Sequence, residues 1–391
     1  MTPLIGFCSN MFFMIPISIY IHFPWCLKKC PYCDFHSCRI NAENLPEKPY
    51  LEALLVDLEN DLKFLQGRTA RSVYFGGGTP SLFSPIIFEK ILDYLAGKSV
   101  FGKNTEITLE VNPGTITLEK ARCWKGFGIN RLSIGIQSFQ DEKLKALGRI
   151  HNSEEAVRAV EIAKEAGFSN INLDLMFGLP NQTLTDALYD LNTVFSLEPT
   201  HLSWYELTLE PGTVFFKNPP ILPNENEMLV IQEKGLETIL KNGFNQYEVS
   251  AYSKGIENRS QHNLNYWQFG DYLGIGAGAH GKITDLVSNK IIRYSKIENS
   301  KKYLAASNKY QTNNEEIFGK NLVFEFMLNA LRLYDKIPIT LFTDRTGLDF
   351  NSINSIISVA KSRELMDCDE KYFWTTPKGK TFLNELLILF N

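Results

Sequence analysis

Three things are scarce in this chain of 391 residues, and each scarcity removes a class of function. Concentrated positive charge is the first. The 40 Lys and Arg are scattered among 44 Asp and Glu, for a net charge of -4, so no basic field exists to draw in a phosphate backbone and nucleic acid is excluded as an electrostatic partner. Long apolar runs are the second. Met11 to Phe23 is mostly apolar, but a membrane-crossing helix needs about 20 such residues, and this run carries Pro16 before turning into a strand pattern. A secretory signal would want a basic n-region, which is missing. Residues 1–16 are therefore read as an N-terminal extension, with Met14 an alternative start, and the chain as cytoplasmic. Paired cysteines are the third. Cys8, Cys38, Cys123 and Cys368 lie far apart with no framework spacing, which fits reduced thiols. Internal repeats and low-complexity segments are missing as well.

What the sequence does have is Cys26, Cys30 and Cys33, a C-x3-C-x2-C triplet after the strand-like run Ile17 to Phe23. Three thiolates hold three corners of a cubane iron–sulfur cluster and leave one iron without a protein ligand, open to a small molecule. The competing arrangement is a zinc site completed by His22 or His36. Structural zinc sites usually pair two knuckles, and no second knuckle is present.

A hydrophobic content of 44% over this length supports a large core and about two to three domains. From Ile17 onward, β-branched and apolar runs alternate with amphipathic stretches. Strands are expected near 17–23, 72–75, 106–111, 131–136, 170–176 and 201–207. Helices are expected near 47–66, 84–96, 117–126, 140–166 (broken between Gly148 and Ser153), 182–197 and 224–242. Regular βα repetition means an α/β fold with a parallel sheet and right-handed crossovers, either doubly wound or a full or partial barrel. Each strand ends in groups unsuited to a core: the cysteines, then Gly76 to Thr79, Glu110 and Asn112, Gln137, Asp174, and Tyr205 with Glu206. In a barrel these ends converge on one mouth. The unit 17–245 is followed by a Gly-rich, aromatic linking segment over 246–310. In 311–391, helices near 314–333, 350–363 and 377–390 and a hairpin over 365–375 outline a smaller α+β, winged-helix-like C-terminal domain.

An open iron beside a glycine turn and several carboxylates suits S-adenosylmethionine, whose amino and carboxylate groups chelate iron and whose sulfonium accepts an electron. The G-G-G-T-P run at 76–80 offers backbone without side chains to the methionine end; standing alone, it would read as a tight βα turn. Glu110, Gln137 and Asp174 suit ribose hydroxyls and the amino group, and the Arg149 fork suits the carboxylate. Asp174 lies inside the apolar run Ile171 to Phe177, where an unpaired charge is costly, so it needs a partner.

Taken together, Y-I-H-F-P-W-C-L-K-K-C-P-Y-C-D-F, G-G-G-T-P, E-V-N-P-G, G-I-Q-S-F, L-G-R-I-H and D-L-M-F-G-L-P-x-Q-T resemble the radical S-adenosylmethionine proteins related to oxygen-independent coproporphyrinogen III dehydrogenase, over residues 17 to about 390. The resemblance implies a partial (βα)6 barrel. It implies a [4Fe-4S] cluster on Cys26, Cys30 and Cys33, and S-adenosylmethionine contacts from Tyr20, Tyr32, Gly77, Gly78, Thr79, Glu110, Gln137, Arg149 and Asp174. The dehydrogenases of this family carry a fourth cysteine and an N-terminal arm; here Phe35 takes the fourth cysteine's place and 25 residues precede Cys26. Both departures match the branch that carries haem to acceptor proteins. A second pointer to it is the H-N-x-x-Y-W motif at His262 to Trp267, with His262 a haem ligand and Tyr266 and Trp267 packing on the porphyrin. The lone-histidine alternative is a structural residue capping a turn. His280, in Gly-Ala-His-Gly, is a weaker candidate for a second ligand or a contact near the cofactor.

The expected function is that of a haem chaperone serving respiratory, membrane-associated acceptors, with a homodimer allowed but not required. The alternative is an oxygen-independent coproporphyrinogen III dehydrogenase, an activity that Phe35 puts in doubt, and a third class is that of tailoring enzymes such as methyltransferases on the same barrel.

Overall fold

The computed structural model describes residues 15–391; Cys8, Met14 as an alternative start and most of the N-terminal extension lie outside the described residues. Six strands alternate with helices in chain order: β1 (Ile17–Phe23), β2 (Ala70–Gly77), β3 (Phe101–Val111), β4 (Arg131–Gln137), β5 (Asn170–Phe177) and β6 (His201–Glu206). Between them run α1 (Glu47–Asp61), α2 (Pro85–Gly97), α3 (Leu118–Gly126), α4 (Asp141–Ala146), α5 (Ser153–Glu165) and α6 (Leu184–Ser196), and α7 (Glu225–Lys241) follows β6. The break expected between Gly148 and Ser153 separates α4 from α5, where Asn152 and Glu155 close a reciprocal capping box.

All six strands pair in parallel and in sequence order. Their outward residues, such as Ile17, Ile19 and Ile21 of β1 or Leu132, Ile134 and Ile136 of β4, are buried beneath the helices and form the main core. Their inward residues are mostly polar: Tyr74, Glu110, Ser133, Gln137, Asn172, Asp174, Ser203 and Tyr205 line a cavity. The six strands are thus a barrel wall with an apolar outside and a polar inside.

Beyond residue 245 the segment read as a linker continues the sheet. It supplies β7 (Asn245–Glu248), β8 (Ala251–Ser253), the short helix α8 (Gln261–Trp267), β9 (Asp271–Ile275), β10 (His280–Thr284), β11 (Ile291–Lys296) and β12 (Gln311–Ile317). The result is one sheet of 12 strands in the order β12-β11-β10-β9-β1-β2-β3-β4-β5-β6-β8-β7. The helix expected from residue 314 begins instead at Gly319, because Gln311–Ile317 pairs antiparallel with β11. Tertiary pairing overrides the helix preference of its two glutamates.

This extension is fastened to the barrel by buried charge. Lys296 on β11 reaches Asp57 at 2.5 Å and Asp61 at 2.7 Å, both on α1, and all three side chains are buried. Asp57 also accepts bonds from the Gly276 amide and the Tyr303 hydroxyl. At the other end of β9, Asp271 pairs with Arg68 at 2.7 Å and Lys282 at 3.4 Å.

The C-terminal domain packs helices around a three-stranded antiparallel sheet with its own core, in which Phe326, Phe342 and Phe350 meet edge to face and Phe350 stacks on Phe373. Leu264 of α8 joins that core. No described helix is long and apolar enough to cross a membrane.

Candidate functional site

A cavity of about 580 Å³ runs from the loop after β1 into the barrel. The loop is closed at its base, where Cys38 N–H donates to the Pro24 carbonyl at 2.8 Å and Ile40 N–H to the Cys26 carbonyl at 2.9 Å. Cys26, Cys30 and Cys33 are free, half-buried and all line the cavity. Burial pushes the Cys26 and Cys33 thiols up; Cys30 raises Cys26 further, and Cys26 and Cys30 raise Cys33. A cationic centre would reverse that penalty by stabilising the thiolates.

No described group of three His, Cys, Asp or Glu side chains is drawn together tightly enough for one metal ion. A zinc site needs all its ligands about 2.3 Å or less from one centre, whereas in a cubane the three cysteines bind three different irons and stand further apart. The histidines of the zinc alternative also lie elsewhere. His22 bonds to the Tyr20 hydroxyl and the His36 carbonyl, His36 bonds to the Glu298 carbonyl, and both line a separate, second cavity. With both histidines committed elsewhere, the three thiols suit a group that takes three protein ligands, as an open cubane does.

The glycine turn lies beside the thiols. Gly78 N–H donates to the Phe23 carbonyl at 2.7 Å and Thr79 N–H to the Trp25 carbonyl at 2.9 Å, which ties 77–79 to the cysteine loop. Gly77 has φ +118°, and a Cβ there would stand 2.6 Å from the His22 ring. Only glycine takes this backbone path without strain.

Inside the barrel, Glu110 accepts from the Tyr74 hydroxyl at 2.9 Å and the Gly77 amide at 3.0 Å. Burial lifts its pKa to about 7, and nearby Asp174 adds to the lift. Asp174 is itself raised by burial; it takes bonds from Asn172 and Ser133, so the charge embedded in an apolar run has partners. Gln137 accepts from Tyr205 and sits at φ +71°, a left-handed backbone rare for such a residue and typical of functional turns. Arg149 donates to the Gly135 carbonyl and places its other terminal nitrogen 3.8 Å from the Cys30 sulfur.

Of the residues singled out in the sequence, Tyr32, Gly77, Gly78, Thr79, Glu110, Gln137, Arg149 and Asp174 share this cavity with the three cysteines. Two do not line it. Tyr20 faces the second cavity, beyond Gly77. His262 is buried under a stacked Tyr74 ring at 4.6 Å and an edge-on Tyr266 at 4.9 Å, and lines neither space. Its Nδ1 pairs with Ser72, whose hydroxyl donates to Ser18, so Nδ1 carries the proton and the buried Nε2 is left a bare acceptor without a partner. Burial lowers its pKa to about 3.

The inner end of the cavity holds Trp267 of the haem motif together with residues that sequence reasoning missed, Arg131 and Arg332, with Glu248. Arg332 stacks on Trp267 at 4.3 Å and pairs with Glu248 at 3.5 Å, Arg131 Nε stands 4.0 Å from Glu106, and the Nε of both arginines and the indole nitrogen are buried donors without a hydrogen bond. Unsatisfied donors at the end of a cavity suit an anionic ligand group. The strand register would have pointed to Arg131, which begins the inward series Arg131, Ser133, Gly135, Gln137; nothing local marks Arg332.

Residues 20–193 match the family model of the radical SAM superfamily, and residues 319–382 that of the HemN C-terminal domain. The chain is 45% identical over 380 residues to the "Heme chaperone HemW" of Haemophilus influenzae, covering 96% of this chain and 98% of that one. It is 43% identical to the protein of that name from Escherichia coli, over 96% and 98% of the two chains. To the one from Bacillus subtilis it is 32% identical, over 94% and 97%. Its fold is similar to the solved structure of coproporphyrinogen III oxidase (HemN) from Escherichia coli, a radical SAM enzyme, with a TM-score of 0.81 over 98% of this chain and 91% of that one; at 21% identity the likeness is one of fold.

Proposed function

We propose, from the premise that this chain belongs to the HemW family of radical S-adenosylmethionine proteins, that it is a cytoplasmic haem chaperone which hands haem to respiratory, membrane-associated acceptor proteins. Cys26, Cys30 and Cys33 would hold a [4Fe-4S] cluster, and S-adenosylmethionine would lie against the glycine turn. The observation that carries this reading is the convergence of the three thiols, Gly77 to Thr79 and the inward carboxylates on one cavity of about 580 Å³. When bound, the cluster supplies an open iron to the amino acid end of S-adenosylmethionine and an electron to its sulfonium.

The chain's own residues orient that cofactor. Gly77 and Gly78 let it approach the backbone, Glu110 fixes the turn through the Gly77 amide, and Arg149 sets a cation beside the Cys30 sulfur where a carboxylate would approach. Phe35 in the position of the family's fourth cysteine supports haem carriage over porphyrinogen oxidation. His262 belongs to this reading as a residue of the haem motif, buried with its Nε2 unpartnered beneath Tyr74 and Tyr266.

Two parallel assays on anaerobically reconstituted protein test the proposal. Haem titration is expected to show binding, and coproporphyrinogen incubated with S-adenosylmethionine and reductant is expected to remain unconverted. Turnover without haem binding would make the chain a dehydrogenase that works despite Phe35. Cys30→Ala is expected to abolish the cluster's visible absorption; a full cluster in that variant would remove Cys30 from the ligand set.

A further inference from the structure

The second cavity, about 370 Å³ and open to solvent, lies across the Gly77 turn from the cysteine loop. Three of the chain's six histidines, His22, His36 and His280, line it together with Tyr20, Tyr266 and Tyr272. Phe35, 63% exposed, borders both cavities, as do Gly77 and Glu110. An apolar, aromatic wall facing imidazoles is the chemistry that takes up a flat metal macrocycle, through ring stacking and one nitrogen on the metal.

The three imidazoles are not equivalent. His22 is committed at both nitrogens, to the Tyr20 hydroxyl at 2.9 Å and the His36 carbonyl at 2.7 Å. His36 gives its Nε2 to the Glu298 carbonyl at 2.7 Å, and its ring lies against the Gly278 backbone, 2.2 Å from where a Cβ would stand. His280 begins β10 with its side chain exposed at the cavity. The motif histidine, by contrast, lies behind the wall, with Tyr266 edge-on to it at 4.9 Å.

We infer that this second cavity is the haem seat and that His280 is the imidazole that ligates the iron, an inference that rests on the haem-chaperone reading above. In the H-N-x-x-Y-W motif, Tyr266 then forms part of the seat, and His262, bonded to Ser72, holds the helix that presents it. At about 370 Å³ the cavity is at the small end of ligand sites, so part of the macrocycle stays outside and reachable by an acceptor.

The test is titration of the full, cluster-loaded chain with haemin and, separately, with metal-free protoporphyrin IX. His280→Ala is expected to weaken haemin binding at least tenfold and to shift the Soret band, with exogenous imidazole restoring the histidine-type spectrum. Protoporphyrin binding is expected to change less than twofold, since it has no iron to ligate. His280→Cys is expected to give a thiolate-type spectrum. Unchanged haemin affinity and spectrum in His280→Ala overturns the inference, and if binding is then lost in His262→Ala the haem reading stands with its ligand moved there. A wild-type chain that takes up no haemin overturns both.

Discussion

Glu110 keeps its proton to about pH 7 in the folded protein because it is buried near a second carboxyl. In the unfolded chain it would release that proton near pH 4.3. Between those values the native state holds a proton that the unfolded state has lost. The stabilisation is therefore complete below about pH 4.3 and disappears as pH rises through 7, a change of up to about 4 kcal/mol. Glu110→Gln is expected to remove this slope: the stability of the variant relative to wild type should rise steadily in urea unfolding from about pH 4 to pH 8, and a constant difference would contradict the raised pKa. His22 and His262 act with the opposite sign. Burial lowers them to about 4 and about 3, so acidification below their unfolded value near 6.5 removes stability. Asp174 was legible in the sequence because a charge inside an apolar run demands a partner. Arg332 was not, since only the packing of the C-terminal domain against the barrel brings it beside Trp267.

The strand–helix units were legible because parallel strands and amphipathic helices repeat over long, regular segments, and the structure places all six barrel strands where the pattern did. A further signal was present and unused: polar residues at every second position, as in Ser18, Tyr20 and His22 or Asn172 and Asp174, mark a barrel with a polar interior. Beyond residue 245 the strands are short, antiparallel and interrupted by glycine, so their pairing was not visible locally. The turn after β2 depends on one residue type. Gly77→Ala is expected to destabilise by about 2 kcal/mol or more, because φ is +118° and the new Cβ would meet a His22 ring already held by two bonds. Thermal unfolding measures this, and a loss below about 0.5 kcal/mol would show that the turn relaxes.

For the molecule as a whole, Lys296 joins two parts that the chain keeps more than 200 residues apart, the extension strand β11 and helix α1. Lys296→Met leaves Asp57 and Asp61 as uncompensated buried charges and is expected to cost about 3–5 kcal/mol, read as a lowered urea midpoint. Asp57→Asn in the same background should recover part of the loss, and no recovery would place the stabilisation elsewhere. The unclosed sheet has another consequence. A wall that never meets itself ends at β7, where the Tyr334 N–H donates to the Tyr247 carbonyl and Glu248 bridges Leu333, and at β12, whose outer edge pairs with no strand among the described residues and leaves backbone groups available to a second molecule. Strand β12 is written Gln-Thr-Asn-Asn-Glu-Glu-Ile, five consecutive exposed polar positions including two carboxylates. Such a border repels a copy of itself, so the protein carries its own safeguard against strand-by-strand polymerisation, and replacing Glu315 and Glu316 with valine should turn a dispersed solution into one that scatters light on standing.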